Sequence, residues 1–224
     1  MAEFEKIRDN PPLSLYIKKP NGQGPFPCVI VFMHRPGPDN AMQKVVDDLA
    51  KSGYVGVCQD AYRNETIRSN YSDQTIFEDF EATLDYMKKQ KYVNTGKIGV
   101  MGFCMGGRHA YLASSRYPEI KATVAYYGFP GQGKTTQDTP VKVVDKMHHP
   151  VLGIFGGIDT LFPFADVEEF RKELLEHSNR NKVVVYGDVG HGFLNPFAPE
   201  RYKDGVSANK AWKETIDFYD KNIK

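Results

Sequence analysis

A short glycine-rich stretch, Gly-Phe-Cys-Met-Gly-Gly at residues 102–107, constrains the fold of this chain more than any other segment. An apolar run at residues 97–101 precedes it and is typical of a buried strand, whereas residues 108–115 favour a helix. A Gly-x-nucleophile-x-Gly sequence between strand and helix predicts a nucleophile elbow, a tight turn that lifts the central side chain above the end of a sheet. The stretch therefore predicts an α/β architecture in which Cys104 stands at a helix N-terminus, where an anion is favoured.

A cysteine is more often a small buried hydrophobic residue than a catalyst, so an inert role for Cys104 is the alternative. The glycine spacing and the strand–turn–helix context favour the nucleophile. Cys28 and Cys58 fall inside apolar runs, and we expect both to be inert core thiols.

The rest of the chain alternates apolar, strand-like runs with segments of helical periodicity. This pattern predicts an α/β fold with a mostly parallel central sheet and helices on both faces, formed by one domain over residues 1–224. Residues 13–18 alternate as a half-exposed edge strand would, and Ser207 is a candidate N-cap of the final helix.

Composition limits the classes of partner. The 224 residues carry a net charge of +1, which gives no reason to expect nucleic acid or an anionic membrane surface. No run approaches the ~20 apolar residues that cross a bilayer, and the charged N-terminus lacks an apolar signal core. Three cysteines without paired spacing favour a reducing compartment, so we expect a cytoplasmic protein, as a monomer or small homo-oligomer.

A thiol nucleophile needs a base, and the base needs a group that orients it. Asp159 follows the apolar run 152–155, and His191 follows the run 182–186, so both belong to loops at strand ends. Nucleophile, acid and histidine then occur in the order of α/β enzymes with an elbow. Asp188 is the rival acid because it is close to His191 in sequence. The adjacent His148 and His149 point in different directions, so no metal site is expected.

Two backbone amides complete a site of this kind by holding an oxyanion. One comes from the residue after the nucleophile, Met105, and the other from the loop after the third strand, where Arg35 precedes an amide-free proline.

Several motifs together resemble the dienelactone hydrolase family. They are Gly-x-Cys-x-Gly-Gly, Tyr-Tyr-Gly, Gly-Gly-x-Asp-x-x-x-Pro and Gly-His-x-Phe, and the resemblance runs from about Pro27 to the terminal helix. It implies an α/β-hydrolase fold and a Cys104–Asp159–His191 triad that works without a cofactor. The family's namesake reaction is the hydrolysis of an unsaturated lactone, 4-carboxymethylenebut-2-en-4-olide.

Two positions depart from the family pattern. His34 stands where the namesake enzymes carry a glutamate that takes part in thiol activation, and we interpret it as a brace for the oxyanion loop. Asn195 stands near the family's substrate-holding arginine. Arg35, Arg63 or Arg108 are candidates to replace that arginine.

The resulting hypothesis is a cysteine-dependent hydrolase of small esters or lactones. Two alternatives stay open: a general carboxylesterase or thioesterase without lactone activity, and a non-hydrolytic thiol sensor on the same fold. Segments 64–73 and 130–147 are candidate covers of the site. The candidate pocket walls are Tyr62, Tyr127, Phe162, Phe193 and Trp212.

Overall fold

A computed structural model of the chain describes residues 3–62, 72–131, 138–202 and 205–224. Within these ranges, eight strands and six α-helices follow one another along the chain. The strands are β1 (Glu5–Asp9), β2 (Pro12–Lys18), β3 (Phe26–Phe32), β4 (Val55–Gln59), β5 (Val93–Phe103), β6 (Ile120–Tyr126), β7 (Val151–Gly156) and β8 (Lys182–Tyr186). The helices are α1 (Asn40–Lys51), α2 (Asp73–Lys88), α3 (Met105–Arg116), α4 (Phe164–His177), α5 (Pro199–Tyr202) and α6 (Val206–Ile223).

The strands form one sheet in the order β1-β2-β4-β3-β5-β6-β7-β8. Only β1 and β2 run antiparallel to their neighbours, and β3 to β8 pair in parallel. The expected mostly parallel α/β sheet is therefore confirmed.

The central strands are apolar on both faces because both faces are covered. On one face α1 and the N-terminal half of α6 lie side by side. On the other, α3 lies between α2 and a 3-10 helix at Pro140–Lys146, which also contacts α4. The strand order reverses beside β3, where β4 and β5 lie on opposite sides of it. In open α/β sheets, ligands bind at the carboxyl ends of the strands near such a reversal.

The sequence prediction is wrong at two places on the periphery. The strand expected at residues 13–18 is not an edge, because β1 pairs with its outer side through Leu15 and Ser14. Ser207 does not cap the final helix. Gly205 is the N-cap residue, in a left-handed conformation, and the Ser207 hydroxyl donates to Asp188 at 3.1 Å.

No helix among the described residues is both long and apolar enough to cross a membrane. The two candidate covers, 64–73 and 130–147, fall partly outside the described residues.

Candidate active site

The turn between β5 and α3 holds Cys104 in a backbone conformation that residues other than glycine rarely adopt. Its φ is +57°, and its N–H donates to the Tyr126 carbonyl at 3.1 Å. Such a conformation costs on the order of 1–3 kcal/mol for a non-glycine residue and persists where the surroundings impose it. Cys104 is also the N-cap residue of α3, and its side chain is partly exposed. The elbow predicted from the glycine spacing is therefore present.

The flanking glycines allow backbone segments to approach more closely than any side chain would permit. A Cβ at Gly102 would lie 2.0 Å from the Gly106 carbonyl oxygen. A Cβ at Gly106 would lie 2.2 Å from the carbonyl oxygen of Phe32, at the end of β3. The start of α3 is thereby pressed against the end of β3, which brings the loop that contains Arg35 beside the first turn of α3.

The acid and the base belong to two loops that are joined by backbone contacts. The Gly157 N–H donates to the Tyr186 carbonyl at 2.7 Å, and the Ile158 N–H donates to the Val189 carbonyl at 3.2 Å. These bonds fix the loop after β7 against the loop after β8. Asp159 and His191 extend from the two loops toward each other.

Asp159 orients the imidazole of His191. Asp159 Oδ2 lies 2.7 Å from His191 Nδ1, and Asp159 Oδ1 accepts the Leu161 N–H at 2.9 Å. The carboxylate is 1% exposed, so both of its oxygens are held in place without solvent. The rival acid, Asp188, instead accepts from Ser207 at 3.1 Å. Of the two candidate acids, the structure brings Asp159 to His191.

The other imidazole nitrogen, His191 Nε2, is buried and forms no hydrogen bond within the described residues. Burial opposes a charge on the ring, but the hydrogen bond with Asp159 and the negative charge that the neighbouring Cys104 carries as a thiolate raise the pKa of His191 to about 9. An oriented imidazole with a raised pKa beside a sulfur is suited to hold the proton of that thiol.

Aromatic rings surround the imidazole and keep water from it. The ring centroids of Tyr127, Phe129 and Phe162 lie 4.8, 5.8 and 6.2 Å from that of His191. Tyr127 also has a positive φ of 39°, and its N–H donates to Ile154 at 2.7 Å. Phe129 was missed in the sequence, although it lies three residues after the end of β6, where strand-end reasoning would find it.

Both predicted oxyanion donors lie at the same edge of the sheet. Met105 is the first residue of α3, and the first amides of a helix have no acceptor within that helix. Arg35 lies in a turn in which the Gly37 N–H donates to the His34 carbonyl at 3.0 Å. Its side chain is exposed, in keeping with a contribution from the main chain.

His34 is 8% exposed, and its Nε2 lies 3.0 Å from Asp39 Oδ1. The same oxygen caps α1 by accepting the amides of Ala41 and Met42 at 3.0 and 3.2 Å. His34 Nε2 forms no hydrogen bond within the described residues, but its position places the oxyanion loop beside the N-terminus of α1, which favours the bracing role over substrate contact.

The guanidinium of Arg108 is fully buried and engaged away from the elbow. It forms two hydrogen bonds with Asp73, at 2.9 and 3.0 Å, and donates to the Asp138 carbonyl at 2.7 Å. Despite burial, His109 and Arg108 hold the pKa of the Asp73 carboxyl well below its usual range. These contacts favour a structural role for Arg108 rather than substrate binding. Arg63 lies outside the described residues.

The remaining candidate wall residues differ in position. Tyr62 lies beside the oxyanion loop, 3.7 Å from where a Cβ of Gly37 would be. Phe193 is fully buried against Tyr127, with ring centroids 5.8 Å apart, and therefore supports the wall from behind. Trp212 lines a separate small cavity between α1 and α6.

Asn195 closes a local turn in which its Oδ1 accepts the Phe197 N–H at 2.9 Å. The Asn195 side chain is therefore engaged within its own loop. A cation that holds the substrate at this site would therefore have to come from another residue.

Arg201, on α5, is a cation near the site that sequence reasoning missed. A Cβ at Gly192 would lie 3.2 Å from its Cδ and Nη1 atoms, so the side chain crosses the loop directly after His191. Burial raises the pKa of Tyr127 well above its usual value, and the Arg201 guanidinium opposes that rise. Because Arg201 is ten residues from His191, no spacing rule points to it.

Comparison with known proteins identifies the family. The model of the dienelactone hydrolase family matches residues 13–223. The chain belongs to the dienelactone hydrolase family. A Yersinia pestis protein named "Putative carboxymethylenebutenolidase" is 30% identical over 92% of this chain and 83% of its own. A Bradyrhizobium protein named "Probable 2-oxo-3-(5-oxofuran-2-ylidene)propanoate lactonase" is 28% identical over 91% of this chain and 87% of its own.

The crystal structure of a "Putative Dienelactone Hydrolase" from Klebsiella pneumoniae superimposes with a TM-score of 0.86 at 23% identity, over 98% of each chain. The α/β-hydrolase fold implied by the motifs is thus confirmed. With the family match, this makes the chain an ester or lactone hydrolase of the dienelactone hydrolase type.

Proposed function

We propose that this dienelactone hydrolase family member uses Cys104, His191 and Asp159 as a catalytic triad that hydrolyses small esters or lactones through a thioester. The observation that carries the proposal is the geometry at His191. Its Nδ1 is held by Asp159 at 2.7 Å, and its buried Nε2 is left without a hydrogen bond beside the elbow.

In the first half of the reaction, the Cys104 sulfur attacks the carbonyl carbon and its proton is held on His191 Nε2. The amides of Met105 and Arg35 donate to the oxyanion, each worth ~3 kcal/mol in a preorganised site. The carbonyl then re-forms, the C–O bond breaks, and His191 gives its proton to the departing alkoxide. In a lactone, the alcohol formed this way stays attached to the acyl group.

In the second half, His191 takes a proton from water as the water oxygen attacks the thioester. The C–S bond breaks, the proton returns to sulfur, and a carboxylic acid leaves. Asp159 keeps the imidazole in the required orientation and tautomer throughout. Aromatic walls at Tyr127, Phe129 and Phe162 favour small, flat, partly apolar acyl groups.

Arg201 is our candidate for holding a carboxylate on the substrate. The names of the two relatives refer to unsaturated lactones that carry a carboxyl group. Of the arginines considered, Arg108 is committed to Asp73, whereas Arg201 lies against Gly192 and its electrostatic effect reaches Tyr127. Its Glu200 partner is 3.5 Å away and both side chains are more than half exposed, so this pair is weak.

The hydrolase hypothesis is tested with a panel of aryl esters, thioesters and unsaturated lactones, and with peptide mass mapping after rapid acid quench. We expect turnover of at least one class and an acyl group on Cys104. Turnover of aryl esters without lactones supports the general esterase. An acyl group on another residue contradicts the triad, and complete absence of turnover with a reactive Cys104 supports the sensor.

The role of Arg201 is tested with Arg201→Met on paired substrates that differ by one carboxyl group. We expect KM for the carboxylated substrate to rise about tenfold, the loss of one charged hydrogen bond, with little change for the neutral one. Arg171→Met, which removes an exposed arginine from α4, is the matched control. Equal changes for both substrates would contradict the assignment.

A further inference from the structure

A cleft separate from the candidate active site lies at the opposite end of the strands from Cys104, where β5 to β8 begin. It has a volume of about 490 Å³ and is bounded on one side by the last residues of α6. Five lysines and arginines line it, and they are Lys97, Lys121, Arg180, Lys221 and Lys224. His148, His149 and Asn222 are the other polar lining residues, and no aspartate or glutamate is among the described residues that line the cleft.

Several of these cations lack an anionic partner. Arg180, Lys221 and Lys121 form no ion pair within the described ranges, although the Lys121 ammonium donates to the Pro118 carbonyl at 3.0 Å. Lys224 is paired with Asp220 at 3.0 Å. Glu119, the acidic residue nearest to Lys121 in sequence, is paired with Lys88 at 2.9 Å.

Lys97 is satisfied by a main-chain oxygen of Lys224. Lys121, Arg180 and Lys221 therefore line the cleft without an ion pair to an aspartate or glutamate among the described residues. The whole chain has a net charge of only +1, so this concentration is local.

The buried His149 lies close to three of the cleft's basic residues. It is 8% exposed, and its Nε2 lies 2.9 Å from Thr123 Oγ1. Burial, followed by the charges of Lys121, His148 and Arg180, lowers the pKa of His149 to about 4. Residues at or just before the starts of β6, β7 and β8 thus all act on the imidazole of His149.

The dipole of α6 accounts for part of this arrangement. Helix C-termini attract cations, which explains Lys221 and Lys224 at the end of α6. It does not explain Lys121 or Arg180, which precede or begin other elements and face the same cleft.

We propose that this cleft binds a small anion with two or more phosphate groups. Its volume is that of a small-molecule site, since such sites span roughly 300–1,000 Å³. Arginine binds phosphate oxygens in a bidentate manner, and lysines add point charges around it. Several uncompensated cations in one cleft match an oligophosphate better than a single carboxylate. Binding here is separate from the chemistry at Cys104.

The experiment is isothermal titration of the full chain with sodium tripolyphosphate, compared with orthophosphate at equal ionic strength. We expect saturable 1:1 binding of tripolyphosphate at least about tenfold tighter than that of orthophosphate, because more charged contacts form. Equal affinity for the two anions, or no saturable binding, would overturn the proposal.

Variants locate the site. Lys121→Glu and Arg180→Gln should each weaken tripolyphosphate binding about tenfold. The matched controls are Lys172→Glu and Arg171→Gln on the exposed face of α4, which change charge equally outside the cleft and should alter affinity less than twofold. Equal losses in variants and controls would mean diffuse attraction only and would overturn the assignment.

A spectroscopic readout covers the case in which a variant folds poorly. In wild-type protein, tripolyphosphate should shift the imidazole NMR signals of His148 and His149 while leaving that of His191 in place. Binding without movement of the first two signals would place the anion elsewhere and refute the site.

Discussion

The two ends of the parallel strands, which we call the carboxyl edge and the amino edge of the sheet, are built in different ways. At the carboxyl edge, backbone segments press together, as Gly106 does against Phe32, and one buried carboxylate faces one imidazole. At the amino edge, lysine and arginine side chains from several elements line an open cleft. Close packing at the first edge fixes atoms to within the tolerance that bond-making requires. Electrostatic attraction of an anion at the amino edge does not require atoms to be positioned so closely.

Helix direction explains much of this difference. In an alternating α/β fold the helices start at the carboxyl edge and end at the amino edge. Helix N-termini, such as that of α3 at Met105, stabilise a developing oxyanion, whereas helix C-termini attract lysines. The same topology thus favours acyl chemistry at one edge and anion binding through side chains at the other.

Removing the proposed nucleophile tests the contrast most strongly. Cys104→Ala should reduce kcat by about 10⁵-fold, to near the uncatalysed background, because no other group can form the thioester. Cys28→Ala is the matched control, since burial raises the pKa of the Cys28 thiol to about 12 and keeps it inert. Initial rates on the best ester of the panel measure both. Retained turnover in Cys104→Ala would refute the triad.

Asp159→Asn tests the orientation of the base. We expect kcat to fall about 10³-fold, since the imidazole loses its carboxylate and its fixed tautomer. A pH effect on stability should accompany it. The raised pKa of His191 means that the folded state favours the protonated ring. This stabilisation is complete below pH ~6.5, the usual histidine pKa, and is lost as the pH rises through about 9.

Urea unfolding at several pH values measures that effect. The free energy of unfolding of the wild type should fall between pH 6.5 and 9, with the part that depends on His191 reduced in Asp159→Asn. Asp188→Asn, which alters the rival acid, should leave both kcat and this slope nearly unchanged. A larger kinetic loss in Asp188→Asn would reverse the assignment of the acid.

The close backbone packing at the carboxyl edge is tested with Gly106→Ala. The added Cβ would lie 2.2 Å from the Phe32 carbonyl oxygen, so α3 must move. We expect a loss of about 3 kcal/mol in the free energy of unfolding and about 10²-fold in kcat. Gly187→Ala is the control, because no described atom beyond its chain neighbours lies within 4 Å of its added Cβ. A fully stable, active Gly106→Ala would show that the packing is not required.

The sequence was sufficient to predict the strand–helix alternation and the three loops that meet at the site. Strand ends and glycine spacing carry that information, and Cys104, Asp159 and His191 each directly follow such a signal. The choice between Asp159 and Asp188 depends on how two loops pack against each other, which is evident only from the three-dimensional structure.

Other features have no local sequence signal. Arg201 reaches the site because the chain after His191 folds back past Gly192, a tertiary path that no periodicity encodes. Strand β1 is charged and short, and it is a strand because β2 offers it a free edge. The role of His34 depends on Asp39, whose capping of α1 becomes evident only with the helix in place.

The smallest expected effect is that of a substitution at the amino edge on catalysis at Cys104. Lys121→Glu should change kcat/KM for the best ester by less than about twofold, since exposed charge changes far from a reacting centre are strongly screened. The same protein should lose tripolyphosphate affinity, so the two measurements together separate the edges. A large kinetic change with a normal unfolding curve would mean that the cleft is coupled to the triad through the strands that both share. In that case the contrast between a packed catalytic edge and an independent cationic edge would be wrong, and β6, which begins beside Lys121 and ends beside Tyr127, would be the first element to examine.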